Sequence, residues 1–384
     1  MDKAGLTLIP LSDDLPRLRR WLHAMPLYRL QGLHPVFVLR RLRQEAGTRL
    51  VLRLPRLLLE LLRSGVAFAL RALRRCASWM ADQVVTSVLD TLDRLSRQPP
   101  SILRLEEGID PQRSAGSVAV MVQFSGAGML SEMVLRQIAT YRELGFAVVL
   151  VSNSPTFPEA SWSAARRDAA LVVHRRNRGL DFGAWQDLLP VVLERWSGAE
   201  ELLLVNDSVL GPIHPLAPMV AAMRGAGPGF FGMLESIQGG PHLQSWFMLA
   251  RGRAAVADVA EFISRLRLSR SKWKIVQRGE LRIARAMRRL GHHVASVYSY
   301  KAIVNRAEAA PETSALLLRR PVNPAHFFWR TLAGPAGCPF IKTELVRRNP
   351  GQIADVHEWP HLIPRDALCP AEVIADHLAS LGHL

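Results

Sequence analysis

Two apolar runs in the middle of the chain each end in small and polar residues of a kind that can do chemistry. Residues 171–174 run into Asn177, Arg178, Gly179, Asp181 and Gly183, and residues 202–205 run into Asn206, Asp207 and Ser208. Glycines let the backbone approach a ligand closely, and an arginine beside them can neutralise phosphate. A helix that starts just after the first cluster can also offer its N-terminal amides to an anion. Asp207, at the end of its run, has the chemistry to hold a divalent cation or a ribose hydroxyl, with Asn206 and Ser208 as uncharged hydrogen-bonding neighbours. Each carboxylate also has a purely structural alternative: Asp207 can close an Asx turn, and Asp181 can cap the following helix. For a general base the chain offers Glu235 and His242 on equal footing, with Glu280 behind them.

The elements that must position these groups follow from hydrophobic periodicity. Residues 118–124, 146–152, 171–174 and 202–205 are short apolar runs of strand length, and 184–196 has the helical spacing Trp185, Leu188, Leu189, Val192. A helix over 131–144 is closed by Gly145, and 254–268 and 280–290 are helical, the latter stopped by Gly291. Residues 230–234 and 245–249 are two more strand-like runs. Alternation of strands and helices predicts an α/β fold with a right-handed parallel sheet covered on both faces. In such sheets ligands bind beyond the carboxyl ends of the strands, where both polar clusters fall. The domain boundary is placed near Ser117, after a linker over 103–116, and the proline-rich residues 310–384 form a cap or tail with no assignable strands.

With 384 residues, half of them hydrophobic, the chain has room for a large core, which excludes a disordered polymer. The net charge of +16 calls for an anionic partner. It is concentrated near the start: between 17 and 75 there are fourteen arginines, opposed only by Glu45 and Glu60 and interleaved with leucine, valine and alanine. Such a pattern suits an anionic membrane surface, or else a helical bundle or dimer that buries the leucines. Nucleic acid is the weaker partner, since stacking aromatics are sparse there. Residues 77–95 form a further helix. Cys76, Cys338 and Cys369 are too scattered for a disulfide framework or a zinc site, and a reducing compartment is the expectation. Neither a secretory signal nor a run of the ~18 apolar residues needed to span a bilayer is evident.

The segments Asn177–Gly183, Val205–Pro212, His242–Phe247 and Gly337–Lys342, followed by Arg348-Asn349-Pro350, stand in the order and spacing of the rhamnan synthesis protein F family, which the chain resembles over about residues 117–350. The arrangement is also similar to GT-A glycosyltransferases, whose Rossmann-like sheet carries an acidic DxD motif after the fourth strand. Asn206-Asp207-Ser208 stands at that place with one aspartate. The resemblance implies a GT-A-like catalytic domain over 117–309 and an inverting transfer of rhamnose or a related sugar to a bacterial cell-surface or lipid-linked glycan at the inner face of the cytoplasmic membrane. The nucleotide-sugar donor would be held by Asn177, Arg178, Asp181, Asn206, Asp207 and Ser208. Asp207 would be the ligand of a magnesium or manganese ion, and Lys342 and Arg348 would contact phosphate. The competing expectation is a non-catalytic glycan- or lipid-binding protein that keeps the fold.

Overall fold

The computed structural model describes residues 6–14, 73–74, 77–93, 95–96 and 99–381. Most of the arginine-rich stretch from 17 to 75, and with it the expected lipid contact there, lies outside the described residues. The strands are β1 (Ile9–Pro10), β2 (Ile102–Glu107), β3 (Ser117–Gln123), β4 (Ala147–Ser152), β5 (Leu171–Arg175), β6 (Glu201–Asn206), β7 (Val209–Leu210), β8 (Gly229–Ser236), β9 (His242–Leu243), β10 (Phe247–Arg251), β11 (Val294–Tyr298) and β12 (Ile341–Lys342).

One sheet dominates, in the order β1-β11-β8-β10-β6-β3-β4-β5-β2, with β9 attached to β8. Strands β5, β4, β3 and β6 are parallel neighbours, and β11 is parallel to β8. The expected all-parallel sheet is therefore mostly parallel: β10 runs antiparallel between β6 and β8, and β2 and β1 are antiparallel edges. Two short segments expected to be linker or left unassigned are these edges. Residues 102–107 are not a linker but pair with β5, and the boundary near Ser117 falls inside the sheet.

The strands are apolar throughout because the sheet is covered on both sides. Along β3, Ala119 and Met121 enter one core while Val118, Val120 and Val122 enter the other. The first core is filled from helices Glu132–Glu143, Glu159–Ala165, Ala217–Gly225 and Tyr300–Ala307, and the second from Leu180–Arg195, Arg253–Ser264 and Glu280–Arg289. The helix Glu132–Glu143 begins as sequence dictates: the Ser131 side chain accepts from the Val134 amide, and Gly145 follows at φ 86°. Residues beyond 310 are mainly helical. Leu317, Val322 and Phe328 join the first core, and a third cluster joins Leu210 and Ile213 to Trp329, Leu345 and Ile374. The one strand of this part, β12, pairs antiparallel with β7 in a two-stranded ladder.

The amino-terminal end of β6 is fastened electrostatically. Glu201 accepts from Arg224 Nη2 at 2.8 Å, Arg251 Nε at 3.0 Å and Ser117 Oγ at 2.9 Å. Burial pushes its carboxyl upward, but the Arg224, Ser117 and Arg251 contacts outweigh that and hold it below the ordinary range. A depressed carboxyl pKa contributes stability that is present above the unfolded value and lost as pH falls through the folded one. Glu201→Gln is therefore expected to lower unfolding free energy by roughly 2 kcal/mol at neutral pH. In urea titrations the difference from wild type should shrink as pH falls through the depressed folded-state value and the wild-type carboxyl takes up its proton.

Candidate functional site

The loop after β5 is shaped by a buried guanidinium. Arg175 is fully buried, pairs with Asp187 Oδ2 at 2.6 Å, and donates to Asn153 Oδ1 at 2.8 Å and to the Arg178 carbonyl at 2.9 Å. That last bond folds the loop so tightly that a Cβ on Gly183 would lie 1.9 Å from the Arg178 carbonyl oxygen, so only glycine fits. Gly179 (φ 74°) and Leu180 (φ 54°) are both left-handed, an uncommon conformation for leucine that turns the chain sharply into the helix. The helix starts at Leu180, earlier than the periodicity beginning at 184 suggests, and its N-cap is Gly179. Asp181 thus sits in the first turn instead of capping it, with its carboxylate turned toward β6.

At the carboxyl end of β6 the two clusters meet. Asn206 Nδ2 donates to Asp181 Oδ2 at 2.8 Å, and the Phe124 amide at the end of β3 donates to Asp207 Oδ2 at 2.7 Å. The β7–β12 ladder then delivers a cation from far along the chain. Val209 pairs with Lys342, the Thr343 amide donates to the Ser208 carbonyl at 3.1 Å, and Lys342 Nζ donates to Ser208 Oγ at 2.9 Å.

The electrostatics follow from this crowding. Burial is the main cause that raises Asp207 to about 7, with the neighbouring Asp181 carboxylate adding to it and the Phe124 amide opposing it. Burial likewise raises Asp181 to about 6, against the attraction of Lys342 and Lys272. Burial lowers the Lys342 ammonium, resisted by Glu280, Glu344 and Asp181. Among the described residues no group of three or more His, Cys, Asp or Glu is placed to hold a metal ion. Asp181 and Asp207, however, come from different segments, and the Asp181 charge is felt at Asp207. Magnesium is commonly held by one or two carboxylates with substrate phosphates completing the shell, so this pair fits such an ion.

His242 and Glu280 belong to the same cluster. His242 Nδ1 lies 2.7 Å from the Gly240 carbonyl, and Nε2 lies 3.8 Å from Glu280 Oε1. Glu280 is also bonded by Ser245 through its amide, at 3.1 Å, and its hydroxyl. Burial pushes Glu280 up, but His242, Ser245 and Lys342 prevail and keep it below its usual range.

Other expected residues fall elsewhere. Glu235 is fully buried, with one oxygen taken by the Ser12 amide at 2.6 Å and the other by the Tyr300 amide at 3.0 Å. It ties β1 to the first turn of Tyr300–Ala307, and that geometry gives it a structural task in place of the expected basic one. Asn177, Arg178 and Arg348 are exposed, with no hydrogen bond to the carboxylate pair. Sequence reasoning missed Lys272 and His326. Both are felt electrostatically by Lys342 or Glu344, and His326 Nε2 is buried 3.9 Å from Glu344 Oε2. Burial lowers the His326 pKa. The only local signal was Asn323-Pro324, which starts the four-residue helix Pro324–Phe327 with Asn323 as its cap.

Fold and site together define an α/β protein with a mostly parallel sheet and a cluster of titratable side chains at the carboxyl ends of its strands. Within that class the chain belongs to the rhamnan synthesis protein F family, whose sequence profile matches residues 148–381. It is also similar to the uncharacterized protein y4gN of Sinorhizobium fredii (strain NBRC 101917 / NGR234), 23% identical over 192 residues, which are 48% of this chain and 49% of that protein. The chain thus spans about half the length of this curated relative.

A raised carboxyl pKa makes the folded state bind protons more tightly than the unfolded one, so stability falls as pH rises toward 7. Asp207→Asn removes one of the two mutually repelling charges. Melting curves are expected to show the variant gaining on wild type between pH 5 and pH 8, whereas a pH-independent difference would place Asp207 outside a coupled pair.

Proposed function

We propose that the protein is a glycosyltransferase that moves rhamnose or a related sugar from a nucleotide donor to a bacterial cell-surface or lipid-linked glycan. The observation that carries this reading is the meeting of distant segments in one cluster of charged and polar side chains: Asp181, Asn206-Asp207-Ser208, His242 to Ser245, and Lys342. Sugar transfer needs cationic groups where the leaving phosphate gains charge, and a base at the acceptor hydroxyl. In this reading Lys342 and Lys272 meet the phosphate charge. Asp207 and Asp181 hold the donor and a divalent magnesium or manganese ion, which when bound supplies further positive charge to the phosphates. His242 Nε2 takes the proton of the acceptor hydroxyl, and Glu280, 3.8 Å away, stabilises the imidazolium that results. A base acting directly on the acceptor corresponds to inversion at the sugar carbon.

The place of action in this reading is the inner face of the cytoplasmic membrane. No helix among the described residues is long and apolar enough to cross a membrane. A non-catalytic glycan- or lipid-binding protein of the same fold is the alternative. It would bind nucleotide sugars weakly or not at all by calorimetry, with or without manganese.

The test is a transfer assay over a panel of nucleotide sugars, with and without magnesium or manganese. Asp207→Ala, Asp181→Ala and Lys342→Ala are each expected to reduce turnover by about 100-fold or more. Glu235→Gln, if it folds, should keep its turnover relative to folded protein. Full activity in both aspartate variants would refute the site.

A further inference from the structure

The helix over residues 77–93 is inverted relative to an ordinary surface helix. Its polar side faces the protein: Asp90 accepts from Ser269 Oγ at 2.6 Å and the Arg270 amide at 3.0 Å, and Asp93 pairs with Arg270 at 2.7 Å. Lys274 Nζ donates to Thr86 Oγ1 and Ser87 Oγ, both at 2.8 Å, and Trp79 packs edge-on against Trp273. Asp90 and Lys274 are almost fully buried. The outward side is apolar. Met80, Val84, Val88 and Leu92 recur every four residues and are 55%, 65%, 55% and 54% exposed, with Val85 beside them and Leu95, 81% exposed, continuing the stripe.

Rolling the helix to bury this stripe would break the buried Asp90 and Lys274 bonds and leave both charges unpaired in an apolar setting, which is costly. The clamp therefore fixes the apolar side outward. The two most deeply bonded acids of the helix, Asp90 and Asp93, both point inward, so they do not oppose an anionic surface. The chain just before it, from 17 to 75, carries fourteen arginines against two glutamates. An apolar stripe of this kind, joined to a strongly basic flank, matches an anionic bilayer, where leucine and valine enter the acyl boundary and arginines meet the phosphates.

We infer that the outward face of residues 77–95, formed by Met80, Val84, Val88, Leu92 and Leu95, is a docking surface for anionic lipid bilayers. This face stands apart from the donor recess, so the inference does not depend on the glycosyltransferase reading. The clamp nevertheless links the two regions, because the segment 269–274 that it grips contains Lys272 and continues through Gly279 to Glu280.

Full-length protein is to be sedimented with vesicles of phosphatidylcholine alone or mixed with phosphatidylglycerol. Wild type is expected to bind the mixed vesicles, and the triple variant Val84→Asp, Val88→Asp, Leu92→Asp to lose at least about tenfold in affinity. These positions are exposed, and the melting temperature checks that the variant is folded. A second readout isolates the helix from the basic flank: Val88→Cys in a Cys76→Ser background, carrying an environment-sensitive fluorophore, with Cys338 and Cys369 buried. Its emission should shift to the blue on adding mixed vesicles only. Undiminished binding by the triple variant, or a label that stays in water while the protein sediments, would overturn the inference and assign binding to residues 17–75. A lipid-independent change from dimer to monomer in the triple variant, without loss of vesicle binding, would overturn it in favour of a second copy.

Discussion

The site depends on how the Lys342 ammonium is held. Lys342 is half-buried, and where water is partly excluded carboxylates and hydrogen bonds must replace it: Ser208 Oγ lies at 2.9 Å, with Glu280, Glu344 and Asp181 around it. None of these partners is near it in sequence except Glu344. The β7–β12 ladder and the Thr343 amide on the Ser208 carbonyl bring it to this position. Close contact at the turn supports the ladder: a Cβ on Gly211 would meet the Pro339 carbonyl oxygen at 2.4 Å. The C-terminal part thereby supplies charge to the recess as well as covering the core.

The same constraint explains why a single aspartate after β6 does not leave the site poor in carboxylates. An acidic pair spaced along one loop obtains its proximity from the chain itself. Here Asp207 and Asp181 are brought together by tertiary structure, through the fold Arg175 imposes on residues 175–183 and the Asn206 amide that reaches Asp181. Buried Arg175 is the costliest part of this device, and its bonds to Asp187, Asn153 and the Arg178 carbonyl are what offset its desolvation.

Much of the fold was legible in the sequence because the strands are buried on both faces and read as continuous apolar runs. That signal found β3, β4, β5, β6, β8 and β10, and glycine stops found the ends of their helices. It missed β1, β2, β7, β9, β11 and β12, all but β11 for evident physical reasons. Edge strands are only half covered, so β2 reads as a charged linker, and a two-residue strand has no periodicity. For the site, strand-end clusters pointed to Asp181 and Asp207, and the small residues around Asp181 record a real steric need at Gly183. Sequence proximity to a strand end does not tell which way a carboxylate turns: Glu235 meets the Ser12 and Tyr300 amides, while Glu280 lies beside His242 and Ser245. Lys272 and His326 lie on helices whose sequence shows only a start, and nothing local shows where their side chains converge.

Strand β6 carries a carboxylate at each end of its run, Glu201 at the start and Asp207 just beyond the finish, and burial drives both upward. Glu201 is met by two guanidinium groups and a hydroxyl, which reverse the shift and make it a fastener of the sheet. Asp207 is met by the Phe124 amide, by a second carboxylate and, more weakly, by the Lys342 charge, and burial prevails over them. Such a pair is relieved by anything that brings positive charge, whether a divalent ion or a proton. The protein therefore carries a standing preference for a cationic or hydrogen-bond-donating ligand at one end of the strand and none at the other. This polarity follows from side-chain partners alone, and it agrees with the proposed site at the carboxyl end of the sheet.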